Sequence, residues 1–316
     1  MNLIFKSLQV FLVRGFGAAA GCLMSLIVAN STDVASAGVF FFSLALTQLG
    51  GELLALGSPN ALLKVIGAEF GVSWKRINQT VSVLLKTVLI LAVFLLGVCL
   101  VLPDYVASLL GMVEIVGLLP LISVSMLCFA VQQMLSAMLQ GKQQVILASA
   151  VQNVIAQLSF ITALSVLVFF DFNQTGDSLF YIYFACVCSA TLLGAVLWFR
   201  AKGASFDFKA TFSPELKSSL SSLFVVMLMI QCVMWAGQFA TAKYLSSSDV
   251  AFFASAQRTA TLASFVLIAV NLVVAPQFAQ AFSKGNQLEV NKLISFIKPL
   301  DDYFSRSFAC LYGPLS

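Results

Sequence analysis

The sequence predicts an all-α protein that crosses a membrane about eight times, and three observations carry that prediction. Of its 316 residues, 60% are hydrophobic and 9% charged, with mean hydropathy +0.99, whereas soluble domains average about 45–50% apolar and about 25% charged. So few charges cannot cover a soluble surface without apolar patches larger than monomers tolerate, so lipid is the solvent for most of the chain. Apolar runs of about 20 residues recur along it, the length a helix needs to cross a hydrocarbon core and too long for the roughly ten-residue alternating segments of a barrel. The segments between the runs alternate in charge, as the loops of a multi-pass protein do.

The runs lie at about 8–30, 36–58, 80–102, 115–139, 145–170, 179–199, 219–245 and 250–276. The first lacks a small-residue cleavage site and exceeds a signal-peptide core, so it is read as a retained span. The second follows Asp33 and ends at Ser58-Pro59. The third follows Lys75-Arg76, the fourth lies between Glu114 and Lys142, and the fifth runs from Lys142 to Asp171. The sixth separates Asp177 from Arg200, the seventh follows Lys217, and the eighth begins at Asp249 and ends at Pro276. Lys6, Lys64, Lys75, Arg76, Lys142, Arg200, Lys202, Lys209, Lys217, Lys284, Lys292 and Lys298 all fall on one side of this scheme. The other side holds only acids: Asp33, Asp104, Glu114, Asp171, Asp177 and Asp249. Basic loops stay cytoplasmic, so the N-terminus is expected inside.

An internal repeat organises the spans. Thr32-Asp33-Val34-Ala35 opens span two and Ser248-Asp249-Val250-Ala251 opens span eight; Ser58-Pro59 and Ala275-Pro276 close them, at offsets of about 216 residues. Six spans separate the copies, so they share one membrane orientation, as in parallel repeats of two six-helix lobes. The expected layout is a first lobe with its following loop over 1–218, the first two helices of a second lobe over 219–298, and an atypical tail over 299–316. On this reading the second lobe is truncated.

Composition also excludes chemistry. The chain has no histidine, which removes Ser/His/Asp and Cys/His catalysis and His-ligated metals. No Gly-x-x-x-x-Gly-Lys phosphate loop is present. The seven cysteines lack zinc-like spacing and read as small apolar packing residues. The net charge of +4 is scattered, without aromatic platforms for nucleic acid. Neither catalytic residues, a metal nor a cofactor is expected. Phe40-Phe41-Phe42 and Phe252-Phe253 read as packing or lipid-facing surface.

Five ionisable residues lie inside the apolar spans: Arg14, Glu52, Lys86, Lys243 and Arg258. Each costs about 2.5–3.5 kcal/mol at mid-bilayer, so each should face the protein interior or a watery cavity. Four of the five are cations, the composition of a pocket for an anion. Arg14 and Glu52 lie at about 9 Å depth on adjacent helices, so they either pair or leave Glu52 as a protonatable coupling acid. Lys86 and Lys243 sit near opposite faces and can snorkel. Arg258 has no such exit and is expected to contact substrate. Gln152 and Asn153, with Gln132, Gln133, Gln157, Gln231 and Gln238, supply amides at depth for interhelical bonds or for a sugar.

Several segments together resemble the polysaccharide flippases of the MOP (multidrug/oligosaccharidyl-lipid/polysaccharide) superfamily, such as O-antigen translocases of the Wzx type. These are Val13-Arg14-Gly15-Phe16-Gly17, Gly50-Gly51-Glu52, Leu56-Gly57-Ser58-Pro59-Asn60-Ala61, Leu139-Gln140-Gly141-Lys142, Phe253-Ala254-Ser255-Ala256-Gln257-Arg258 and Ala275-Pro276-Gln277-Phe278-Ala279. The resemblance covers about residues 5–298. It implies a flippase carrying undecaprenyl-pyrophosphate-linked oligosaccharide from the inner to the outer leaflet of a bacterial inner membrane by alternating access. It also implies membrane lipids and polysaccharide polymerase or chain-length proteins as partners, and a cationic lumen that matches Arg14, Lys86 and Arg258. A cation-coupled multidrug antiporter of the same superfamily and an inactive truncated remnant are the alternatives.

Overall fold

The computed structural model describes residues 2–170 except Gly71, then 175–200, 203–207, 210–211 and 214–261. Met1–Ala260 form one compact unit and Thr261–Ser316 a second. All of the second unit except Thr261 lies outside the described residues, and with it the rest of the expected eighth span and the 299–316 tail.

Among the described residues the chain is helical and forms no strand. The helices are α1 (Asn2–Ser31), α2 (Val34–Ala55), α3 (Ser58–Glu69), α4 (Trp74–Val101), α5 (Pro103–Leu110), α6 (Leu119–Gly141), α7 (Val145–Asn153), α8 (Ile155–Phe169), α9 (Gly176–Phe199) and α10 (Pro214–Tyr244). A last one, α11, is described over 247–261. Six helical stretches are long and apolar enough to cross a membrane, and α7 with α8 makes a seventh if that bent pair is one span. These match the first seven expected spans, and α11 occupies the start of the eighth. The protein is an all-α polytopic membrane protein.

Local chemistry sets the ends of these helices. Asp33 caps α2, its Oδ2 accepting the Ser36 N–H at 2.9 Å, which satisfies one of the donors a helix N-terminus leaves open. The second span was expected to run to residue 58, but α2 stops at Ala55. Leu56 (φ 50°) and Gly57 (φ 73°) turn left-handed there, and Pro59 opens α3 in its first turn, where the missing proline N–H costs nothing. Span three ends at Leu102 because Pro103 disfavours a helical residue before it. α5 and a 3-10 turn over Val113–Leu118 then fill what the sequence pattern reads as a loop and the start of span four.

The bundle is arranged around α6, which packs on α2, α3, α4, α7 and α9. Phe40, Phe41 and Phe42 are all under 2% exposed. Three consecutive residues point to three sides of a helix, so α2 is enclosed on every side at that level. Phe40 stacks on Phe160 of α8 at 5.3 Å and meets Tyr183 of α9 edge-on at 6.1 Å. Leu12, Phe94, Leu192 and Val233 are exposed, as lipid-facing residues are.

Span five was expected to be one continuous helix over 145–170. It is broken at Val154, where α7 and α8 meet at 41°. The reason lies in α1. Gly17 approaches so closely that a Cβ there would stand 2.9 Å from the Asn153 carbonyl oxygen. With its amide turned to donate, Gln157 reaches the carbonyls of Gly17 and Asn153, each at 2.7 Å. An amide one turn past the break thus satisfies the carbonyl freed by it, as broken intramembrane helices require.

Candidate functional site

Two polar constellations stand inside the bundle. The first is a relay of side chains across α2, α6 and α7. Gln133 Nε2 donates to Glu52 Oε1 at 2.8 Å, and Gln152 Nε2 donates to Gln133 Oε1 at 2.5 Å. Ser136 Oγ reaches both Gln152 Oε1 at 3.2 Å and the Ala148 carbonyl at 3.0 Å. Beside it, Gln132 Nε2 bonds the Val151 carbonyl at 2.5 Å, while its buried Oε1 has no protein partner. Glu52 is half-buried, and no cation lies within ion-pair distance of it among the described residues. Each amide in the relay both donates and accepts, so the carboxylate sits at the accepting end of an ordered chain of hydrogen bonds.

The second constellation surrounds Arg258. From α11 its Nη1 donates to Ser25 Oγ and, at 3.4 Å, to the Gly21 carbonyl, both on α1. The guanidinium carbon lies 4.7 Å from the centre of the Phe41 ring, within cation–π range. No carboxylate pairs with Arg258 among the described residues. Arg14, Ala18, Gly21 and Ser25 recur at spacings of four, three and four, so they share one face of α1. Arg14 is exposed on that stripe, about 16 Å along the axis from Ser25. Arg14 and Glu52, which the sequence offers as an ion pair, do not form one.

The other two intramembrane cations lie elsewhere. Lys243 Nζ donates to the carbonyls of Ser108 and Leu109 at 3.0 and 3.3 Å, closing the C-terminal end of α5, where a cation also suits the helix dipole. Lys86 Nζ lies 6.0 Å from the centre of the Phe206 ring, in the segment that follows α9. Asn153 donates within its own helix to the Ser149 carbonyl at 3.3 Å, beside the break in span five. Gln231 accepts from Trp235 at 2.8 Å along α10, and Gln238 donates across to the Phe41 carbonyl at 3.2 Å.

The end of the bundle with the acidic loops is closed by direct contacts. Ser247 Oγ donates to Glu114 Oε1 at 3.0 Å. The Ser247 carbonyl lies so near Gly38 that a Cβ there would come within 1.8 Å of its oxygen. Asp33 and Asp249, aligned in the sequence repeat, take different cap positions. Asp33 is the N-cap itself. Asp249 lies three residues into its helix start and accepts from the Ser246 N–H at 3.0 Å, while Ser246 Oγ accepts the Asp249 N–H at 3.3 Å, a reciprocal capping box. The Ser36 N–H holds the Asp33 carboxyl below its usual range, and the Ser246 hydroxyl and N–H do the same for Asp249.

Several partners are not marked in the sequence. Ser25, Gly21 and Phe41 become ligands of Arg258 only through helix packing, although the 18-21-25 spacing of small residues on α1 is a signal for close approach. Cys128 and Cys188, 60 residues apart, bring their sulfurs to 3.7 Å between α6 and α9. In the sequence both read only as small apolar packing residues.

No family model matches the chain, and no curated protein matches it. Among solved structures it is similar to a MATE crystallised in complex with MaL6. The TM-score is 0.61 at 15% identity, over 97% of this chain and 71% of that one. The two share a fold.

Proposed function

We propose that the chain is a transporter of the MOP type, and specifically a flippase for an undecaprenyl-pyrophosphate-linked oligosaccharide. MATE proteins are transporters of that superfamily, so the shared fold supports the class. One observation carries the substrate: the α1 stripe that presents Arg14 and receives Arg258, two cations with no carboxylate partner among the described residues. A charge inside a membrane protein is costly unless something compensates it, and an elongated anionic headgroup is such a compensation. Arg258 binds the pyrophosphate, Arg14 receives it nearer the basic end, and the Gln152 and Asn153 amides face the sugar path. Lys243 and Lys86 hold α5 and the segment around Phe206. Carriage runs from the inner to the outer leaflet of a bacterial inner membrane with the N-terminus cytoplasmic. Residues 219–298 begin a second lobe that rocks against 1–218, and polymerase and chain-length proteins act downstream.

Arg258→Ala in the full chain should reduce surface polysaccharide at least about tenfold while protein level is kept, since a charge-assisted contact is worth about 1.5–3 kcal/mol. Arg258→Lys should retain part of the output. Normal polysaccharide in the alanine variant contradicts the assignment.

Glu52 favours a second reading. A half-buried carboxylate inside a span is a candidate for carrying a coupling proton or cation, which a cation-coupled multidrug antiporter would need. Toxic-cation resistance that tracks expression, with surface glycan unchanged, would select it.

A further inference from the structure

At the basic end of the bundle, an apolar cavity of about 170 Å³ lies among α4, α6, α9 and the segment 203–207. Its wall includes Val81 and Leu85 of α4, Met134 and Met138 of α6, and Ala195 and Trp198 of α9, with Phe206 across it. These positions fall within the last three turns of their helices at that end. The volume is below the roughly 300–1,000 Å³ of a whole small-molecule site, so it fits part of a chain.

Two cations flank this cavity. Lys142, which follows α6, holds its Nζ 5.4 Å from the centre of the Trp198 ring, and Lys86 holds its Nζ 6.0 Å from that of Phe206. Both rings line the cavity. The covering segment is built in place. Asn78 Nδ2 donates to the Gly203 carbonyl at 2.9 Å and to Ser205 Oγ at 2.8 Å, and the Asp207 N–H is donated to Ser82 Oγ at 2.8 Å. Gly203 (φ 109°) lies against Trp74, where a Cβ would stand 2.9 Å from the ring. The segment is thus fixed along α4 with Phe206 directed at the cavity.

We propose that this cavity binds one acyl chain of an anionic phospholipid, with the lipid phosphate held by Lys142 and the rim completed by Lys86. Apolar lining excludes a free phosphate, and the Lys142 ammonium favours an acidic over a zwitterionic headgroup, as basic pockets between membrane helices do. Burial pulls the Lys142 ammonium below its ordinary range, and a phosphate beside it offsets that burial. The site is separate from the Arg258 stripe, so it stands whatever the cargo is.

Native mass spectrometry of the delipidated full chain tests this with phosphatidylglycerol and phosphatidylcholine of matched chains. One phosphatidylglycerol should be retained about tenfold more tightly than phosphatidylcholine. Lys142→Gln should bring it to the phosphatidylcholine level, and Ala195→Phe, which fills the cavity, should weaken both lipids. A melting curve on each variant separates lost binding from lost fold. Equal retention of the two lipids, or an unchanged Lys142→Gln variant, overturns the proposal. So does glycerol phosphate competing as well as the intact lipid, which makes the site one for a headgroup without a chain.

Discussion

At the scale of single residues, what matters is whether a polar group inside the bundle has somewhere to place its charge. Glu52 accepts from Gln133 and pairs with no cation among the described residues, so its partner there is an amide donor. If it is the coupling acid, Glu52→Gln keeps the geometry of the relay and removes the exchangeable proton. Transport by the wild type should then vary with pH, and transport by the variant should be flat, with the melting temperature little changed. A variant with the parental pH profile removes Glu52 from the coupling step. Gly38 makes a steric prediction. With a Cβ position 1.8 Å from the Ser247 oxygen, Gly38→Val forces α2 and α11 apart and should cost about 1–3 kcal/mol, the usual range for overpacking. Denaturant unfolding in detergent measures it. The sequence marks the cations and amides at depth but gives no sign of their partners. Arg258 and Ser25 are 233 residues apart, and only packing brings them together.

At the scale of elements, the opening of span two is legible and the break in span five is not. Thr32-Asp33-Val34-Ala35 reads as the opening of span two, and Asp33 is the residue that caps it. The Val154 break has no proline or glycine in span five to announce it. It comes from Gly17 on another helix and from the reach of Gln157, so a single-segment pattern misses it. Gly17→Leu should push α1 off Asn153 and straighten or detach α7, which cysteine cross-linking between α1 and α7 would report as a lower yield. The caps make a pH prediction of definite sign. Asp33 and Asp249 have folded-state carboxyls held below the ordinary value of 3.8. Their capping contribution is therefore complete above that value and is lost as pH falls through the lower folded one. Protection factors at the Ser36 and Ser246 amides, which remove the intrinsic pH dependence of hydrogen exchange, should fall below about pH 4 and be constant above about pH 5. An onset near pH 6 contradicts this assignment. The same motif in sequence yields an N-cap at Asp33 and a capping box at Asp249, so the repeat is legible as similarity but not as equivalent geometry.

At the scale of the whole molecule, hydropathy and loop charge yield the architecture, because lipid imposes span length and hydrogen-bond closure on every helix at once. They do not yield the joints. Lys243 on α5, Ser247 on Glu114 and Gln238 on the Phe41 carbonyl join α10 and α11 to the first six spans, and each is a polar contact invisible to a pattern of apolar runs. On the proposed function, this fold moves a lipid-linked oligosaccharide past the Arg14–Arg258 stripe. The most direct measurement reconstitutes the full chain in proteoliposomes holding a fluorescent undecaprenyl-pyrophosphate oligosaccharide, and follows its exposure to a membrane-impermeant quencher beside the Arg258→Ala variant. Exposure should stand well above that of protein-free vesicles and fall at least about tenfold in the variant. Exposure equal to protein-free vesicles, or a variant as active as the parent, would contradict it.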